Sequence, residues 1–111
     1  MVRKVVWRNE ALKDVASIKD YIAQNSPANA EKVVAAFDRA ADRLVDFPFS
    51  VRMIPEFQDP ARRETFVYEW RLMFRVEDDH IRILRVVHGR RLLKNVSGSF
   101  EEAPQEAYSA A

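Results

Sequence analysis

WRLMFRVEDDHIRILRVVHGRR, residues 70–91, decides how the rest of the chain is read. Its first part alternates, with Leu72, Phe74 and Val76 against Arg71, Met73 and Arg75. A period of two puts successive side chains on opposite faces of a strand. Asp78-Asp79 supplies the turn. His80 to His88 then forms a second strand, with Ile81, Ile83 and Val87 on one face and Arg82, Leu84, Val86 and His88 on the other. A turn this short makes the pair an antiparallel hairpin. If the apolar face packs on helices, Arg71, Arg75 and Arg82 project from the open face, and His88 shares their side.

Upstream, Glu64 to Tyr68 reads as the preceding strand. Residues 48–61 hold three of the five prolines, Pro48, Pro55 and Pro60, and read as a loop with short extended pieces. Earlier still the period changes. Val33, Phe37, Ala40, Leu44 and Phe47 mark one stripe of a helix that stops at Pro48. Its start is Asn25-Ser26-Pro27, where serine caps and proline takes the first helical position. Leu12, Val15, Ile18, Tyr21 and Ile22 mark a helix over 10–24, with Asn9 as its N-cap. The short link between the helices implies an antiparallel helical hairpin. Val2 to Trp7 is a first strand.

The order is therefore β-α-α-β-β-β. It implies an α+β fold, an antiparallel sheet with an N-terminal strand and the helical hairpin packed on one face. Residues 1–96 make the domain. Ser97-Gly98-Ser99 reads as a linker to an acidic tail, 97–111, that is flexible or a short helix.

The 111 residues fit one domain, and 48% hydrophobic with 32% charged residues is a globular composition. With no cysteine, disulfides, thiolate metal sites and a cysteine nucleophile are excluded. No secretory signal and no membrane-spanning run is apparent, so a cytoplasmic location is expected. The net charge of +1 conceals an asymmetry. The tail's only charges are Glu101, Glu102 and Glu106, which leaves 18 basic against 14 acidic groups, +4, on residues 1–96. Ten basic residues lie between Arg52 and Lys94, and nine of them are arginine, whose planar fork suits carboxylates and phosphates. A body at +4 is modest for a nucleic-acid binder, so the chain is expected to contact no DNA by itself.

Candidate chemistry is sparse. There is no HExxH or other metal-ligand spacing, no GxSxG and no glycine-rich phosphate loop, so no metal and no cofactor are expected. His80 sits beside the Asp78-Asp79 turn and reads as solvated. His88, beside Arg90 and Arg91, has a reference pKa suited to acid–base work, or is a structural histidine. Asp14, Glu31, Asp38, Asp42 and Asp46 read as ordinary helix surface pairs. An open sheet face with Arg71, Arg75, Arg82 and His88 suits RNA, a phosphate-rich surface or an acidic peptide.

The chain resembles the RelE/ParE superfamily of toxins of type II toxin–antitoxin systems. Residues 70–79 are similar to its "YRLxYRVxDD" strand and turn, and residues 81–91 to its "vxIlrVxHgRR" ending. Arg63-Glu64 resembles the pair that opens the preceding strand, and Ala11 to Ala23 the family's first helix. The match covers about residues 2–93. The His88-Gly89-Arg90-Arg91 ending is closer to the ParE, plasmid-stabilisation branch. The resemblance implies a growth-inhibiting toxin that acts on DNA gyrase without being an enzyme. It also implies neutralisation in a hetero-oligomeric complex by a ribbon-helix-helix, ParD-like antitoxin, with Arg71, Arg75, Arg82, His88, Arg90 and Arg91 as candidate contacts to antitoxin or target. The alternative is a RelE-like ribosome-dependent mRNA endonuclease, with Arg52, Glu56, Arg71 and His88 as candidate catalytic groups. The loop bearing Arg52 and Glu56 has no lysine, a departure from the nuclease pattern. A binding-only, non-toxic member is a further alternative.

Overall fold

The computed structural model describes residues 3–91, Leu93 and, by backbone alone, 106–108. Strand β1 (Lys4–Arg8) passes directly into helix α1 (Asn9–Ala23). The N-cap is Arg8, in extended conformation and without a side-chain cap bond, rather than Asn9. The strand runs this far because Trp7 and Arg8 are both buried, and Glu10 in the first turn pairs with the Arg8 guanidinium at 3.4 Å. Helix α2 (Pro27–Asp46) begins as its sequence implies. The Ser26 hydroxyl accepts from the Asn29 N–H at 3.2 Å, and Pro27 occupies the first position.

Four strands follow. They are β2 (Arg52–Met53), β3 (Arg62–Val67), β4 (Trp70–Val76) and β5 (His80–His88). The β4–β5 turn closes with the Glu77 N–H donating to the His80 carbonyl at 2.9 Å. Neighbours β2-β3-β4-β5 are antiparallel, whereas β1 lies beside β5 in parallel register, Lys4↔His80 through Trp7↔Ile83. The sheet is thus mixed, because the helical hairpin carries the chain back before the meander begins. A short strand β6 (Glu106–Tyr108) adds antiparallel to the outer edge of β1. The reading of 97–111 as a flexible or helical tail otherwise lies outside the described residues.

The helices cover one face of the sheet. Phe37, Ala41 and Leu44 from α2 and Ala11 from α1 pack on Val5, Trp7, Leu72, Phe74, Ile81 and Ile83. The face of α1 that packs on the sheet runs through buried Ala11 and half-buried Val15 and Ile18, while Leu12 and Tyr21 from the expected stripe are exposed, Tyr21 at 70%. Phe47 is likewise exposed, because it is the C-cap and leaves the helical period. The opposite face carries a smaller apolar cluster of Ile54, Met73, Leu84 and Val87, covered by Phe57 and Leu93. Among the described residues, no helix is long and apolar enough to cross a membrane.

Candidate functional site

Pairing across β2, β3 and β4 gathers one charged cluster on the open face. Glu64 on β3 is opposite Arg52 on β2, and Arg71 follows on β4. The Arg71 Nε donates to Glu64 Oε1 at 2.7 Å, and its two terminal nitrogens fork onto the Glu56 carboxylate at 3.0 and 2.8 Å. Arg52 holds the other Glu64 oxygen. Two cations and two carboxylates balance. The bonds from Arg71 hold the Glu56 carboxyl below the usual carboxylate range. For Arg71, burial alone would lower the pKa, but the bonds to Glu56 and Glu64 outweigh it and raise it. Arg71 is 4% exposed, so it ties the loop after β2 to the sheet.

A second row crosses three strands. Arg62, Arg75 and Arg82 are direct cross-strand neighbours. Like charges in register repel, and carboxylates intervene: Asp59 at 3.5 Å from Arg62, and Glu77 at 3.8 and 3.7 Å from Arg75 and Arg82. The Arg62 guanidinium also lies 4.6 Å from the Phe57 ring centre. His80 is mostly covered rather than solvated. Its Nδ1 is 2.7 Å from Asp79, a bond that lowers the Asp79 pKa.

His88 does not join these arginines. Phe74 pairs with Ile83, but Met73 pairs with Arg85, so Leu84 is an extra residue in β5. Such a bulge reverses the alternation beyond it. Val87 turns to the small cluster with Met73, and His88 turns to the helix side against Trp70, with ring centres 6.5 Å apart and planes near perpendicular. The expectation of Val87 facing the helices and His88 sharing a face with Arg82 is corrected on this ground. His88 Nδ1 accepts the Arg90 N–H at 3.2 Å, which in the neutral ring leaves the proton on Nε2.

The bulge is held by a residue that the sequence reading left among surface pairs. Asp14 on α1 receives Arg85 Nε and Nη2 at 2.8 and 2.9 Å, and the Val86 N–H at 2.9 Å. Its signal was its place, one turn from Ala11 and beside Val15, an acid on the buried side of the helix. Below this clamp lies a cleft of about 280 Å³, lined by Asp14, Ser17, Ile18, Trp70, His88 and Arg91 among others. Gly89 keeps the end of β5 close to the β3–β4 turn. Its N–H donates to the Glu69 carbonyl at 2.8 Å, and a Cβ there would lie 2.9 Å from the Phe66 ring. Arg90 and Arg91 are exposed. The candidates thus separate into Arg52–Glu56–Arg71, Arg75–Arg82, and His88–Arg90–Arg91. Among the described residues, no group of three or more histidines or carboxylates is placed to hold a metal.

A helical hairpin on one face of a mixed sheet, with the first strand parallel to the last long one and arginines on the open face, defines the RelE/ParE class of small toxin domains. Residues 5–93 match the family described as ParE toxin of type II toxin-antitoxin system, parDE, and the chain belongs to that family. Toxin RelE2 of Caulobacter vibrioides is 33% identical over 89 residues, covering 80% of this chain and 98% of that protein. Two solved structures share the fold. A chain of the chromosomal ParDE system of P. aeruginosa has a TM-score of 0.65 at 23% identity, covering 78% of this chain and 96% of that one. A chain of the RelBE2 toxin-antitoxin complex of Mycobacterium tuberculosis has a TM-score of 0.52 at 21% identity, covering 79% and 99%.

Proposed function

We propose that this chain is a ParE-like toxin that inhibits DNA gyrase, does not cut RNA, and is neutralised in the cytoplasm by direct binding of a ParD-like antitoxin. One observation carries the distinction. Cleavage by 2′-hydroxyl attack needs a base, an acid and a cation around one phosphate. Here Arg71 is engaged by two carboxylates, Glu56 is held in its ionised form by Arg71, and His88 lies on the opposite face of the sheet. The exposed His88, Arg90 and Arg91 remain the contacts to antitoxin or target, with Arg75 and Arg82 as a second row and Arg71 acting through the loop it holds. The matched family, with its ParE description, supports the same branch.

The name of the Caulobacter relative, Toxin RelE2, favours the ribonuclease as the second reading. Two assays on antitoxin-free protein separate them. Excess chain added to gyrase with relaxed plasmid should block supercoiling, and a purified translation reaction should keep its message intact. Unaffected supercoiling together with cleavage of message at the ribosome would reverse the assignment.

A further inference from the structure

Large apolar side chains stand out at the corner where α2 ends and β2 begins. Phe47 is 64% exposed, Phe49 53% and Met53 38%. Between the two phenylalanines Pro48 is buried, so the turn is anchored while both rings face solvent. The turn is also closed from within. The Ser50 N–H and hydroxyl both donate to the Phe47 carbonyl, at 3.2 and 2.8 Å. Across the ladder Met53 pairs with Arg63 of β3, and the Arg63 guanidinium lies 5.2 Å from the Phe49 ring centre.

Arg63 differs from the arginines of the open face, which carboxylates answer. Its Nε donates to the Pro60 carbonyl at 2.8 Å and its Nη1 to the Val51 carbonyl at 3.0 Å. Among the described residues no carboxylate pairs with it. Neutral carbonyls fix the guanidinium without cancelling its charge, and the fork has donors to spare. Exposed rings around a held charge have the composition of an interface centre. Aromatic residues, methionine and arginine are enriched there, and a few such side chains carry most of the binding energy.

Shape selects the kind of partner. A segment that orders as it binds lies along a groove, whereas these rings project from a closed turn and need a pocket in a partner already folded. Charge narrows it further, since the partner must set a carboxylate against Arg63. Residues 1–96 carry 18 basic against 14 acidic groups, so a second copy brings a like-charged body. The corner is also separate from the His88–Arg91 end of β5: Arg63 pairs with Phe74, whereas His88 pairs with Trp70 at the other end of β4. We propose that Phe47, Phe49, Met53 and Arg63 form the surface by which the chain engages its enzyme target. Phe49 enters an apolar pocket of that protein, and a carboxylate at the pocket's rim meets Arg63. This rests on the gyrase reading above.

The test measures the concentration of antitoxin-free chain that halves gyrase supercoiling of relaxed plasmid. Phe49→Ser and Arg63→Gln should each raise it at least tenfold. Tyr21→Ser, which removes an exposed ring from α1, should stay within twofold. All three variants should bind the cognate antitoxin within twofold of the unaltered chain. Thermal melts confirm folding, and Met53→Ser repeats the test should Arg63→Gln unfold. Unchanged inhibition by folded Phe49→Ser and Arg63→Gln would overturn the surface while leaving the gyrase reading intact. Weakened antitoxin binding with inhibition intact would assign the corner to the antitoxin instead. Altered self-association in sedimentation, again with inhibition intact, would assign it to a second copy. No inhibition by the unaltered chain would refute the gyrase reading and this occupant with it.

Discussion

Replacing Asp14 by alanine tests whether the β5 bulge is held from the helix. The carboxylate accepts two bonds from Arg85 and one from the Val86 N–H, and the two side chains are only 15% and 7% exposed. Breaking a buried pair by removing one partner costs about 3–5 kcal/mol, chiefly through the charge left behind. Asp14 lies at the rim of a cleft, so the low end, about 3 kcal/mol, applies here. In a domain this size that lowers Tm by about 12–24 °C. Replacing Arg85 by methionine as well removes the buried charge that has lost Asp14 and should recover about 2 kcal/mol. The remaining deficit, about 1 kcal/mol, is the unbonded Val86 N–H. Urea unfolding of the wild type, both single variants and the double variant provides the cycle. A cost below about 1 kcal/mol for Asp14→Ala, or a double variant no more stable than Asp14→Ala, would refute the clamp.

Gly89→Ala should cost about 1–3 kcal/mol, because its Cβ meets the Phe66 ring at 2.9 Å and the Glu69 carbonyl at 3.1 Å. Adding Phe66→Ala should recover part of that in a thermal melt, whereas no recovery would place the conflict at the backbone. The lowered pKa of Glu56 means that its contribution is present above the ordinary carboxylate pKa and is lost as pH falls through the folded value. Glu56→Gln should therefore flatten the acid side of the stability profile, and an unchanged acid limb would show that the Arg71 fork adds nothing. Ser26→Ala removes the bond to the Asn29 N–H and should lower stability by about 1 kcal/mol, measured by urea midpoint, with Ser26→Asp close to wild type.

What the sequence discloses here depends on the range of the interaction. The Ser26-Pro27 start of α2 and the extents of β4 and β5 follow from neighbours along the chain, and they are where the sequence puts them. The parallel pairing of β1 with β5 has no local signature, since it joins residues that only the finished fold brings together. The bulge is silent for another reason. From Ile83 to Val87 four of five residues are apolar, because both sheet faces are covered, and an apolar residue fits either face. The alternation that placed Arg71 and Arg75 correctly therefore misplaced His88. Glu56 was legible as a candidate, but its bond to Arg71 crosses 15 residues and marks a structural tie as readily as a reactive one.

The parallel register also sets when the protein can exist. β1 needs β5 as its neighbour, and Lys4 meets His80 only after almost the whole domain has been made. At about 5–20 residues per second, a ribosome holds β1 without its sheet partner for several seconds. A message broken anywhere before β5 yields a fragment that lacks the central strand. Any toxic surface built on the completed sheet is therefore withheld until synthesis is nearly complete, and the cell has that interval in which to supply the neutralising partner.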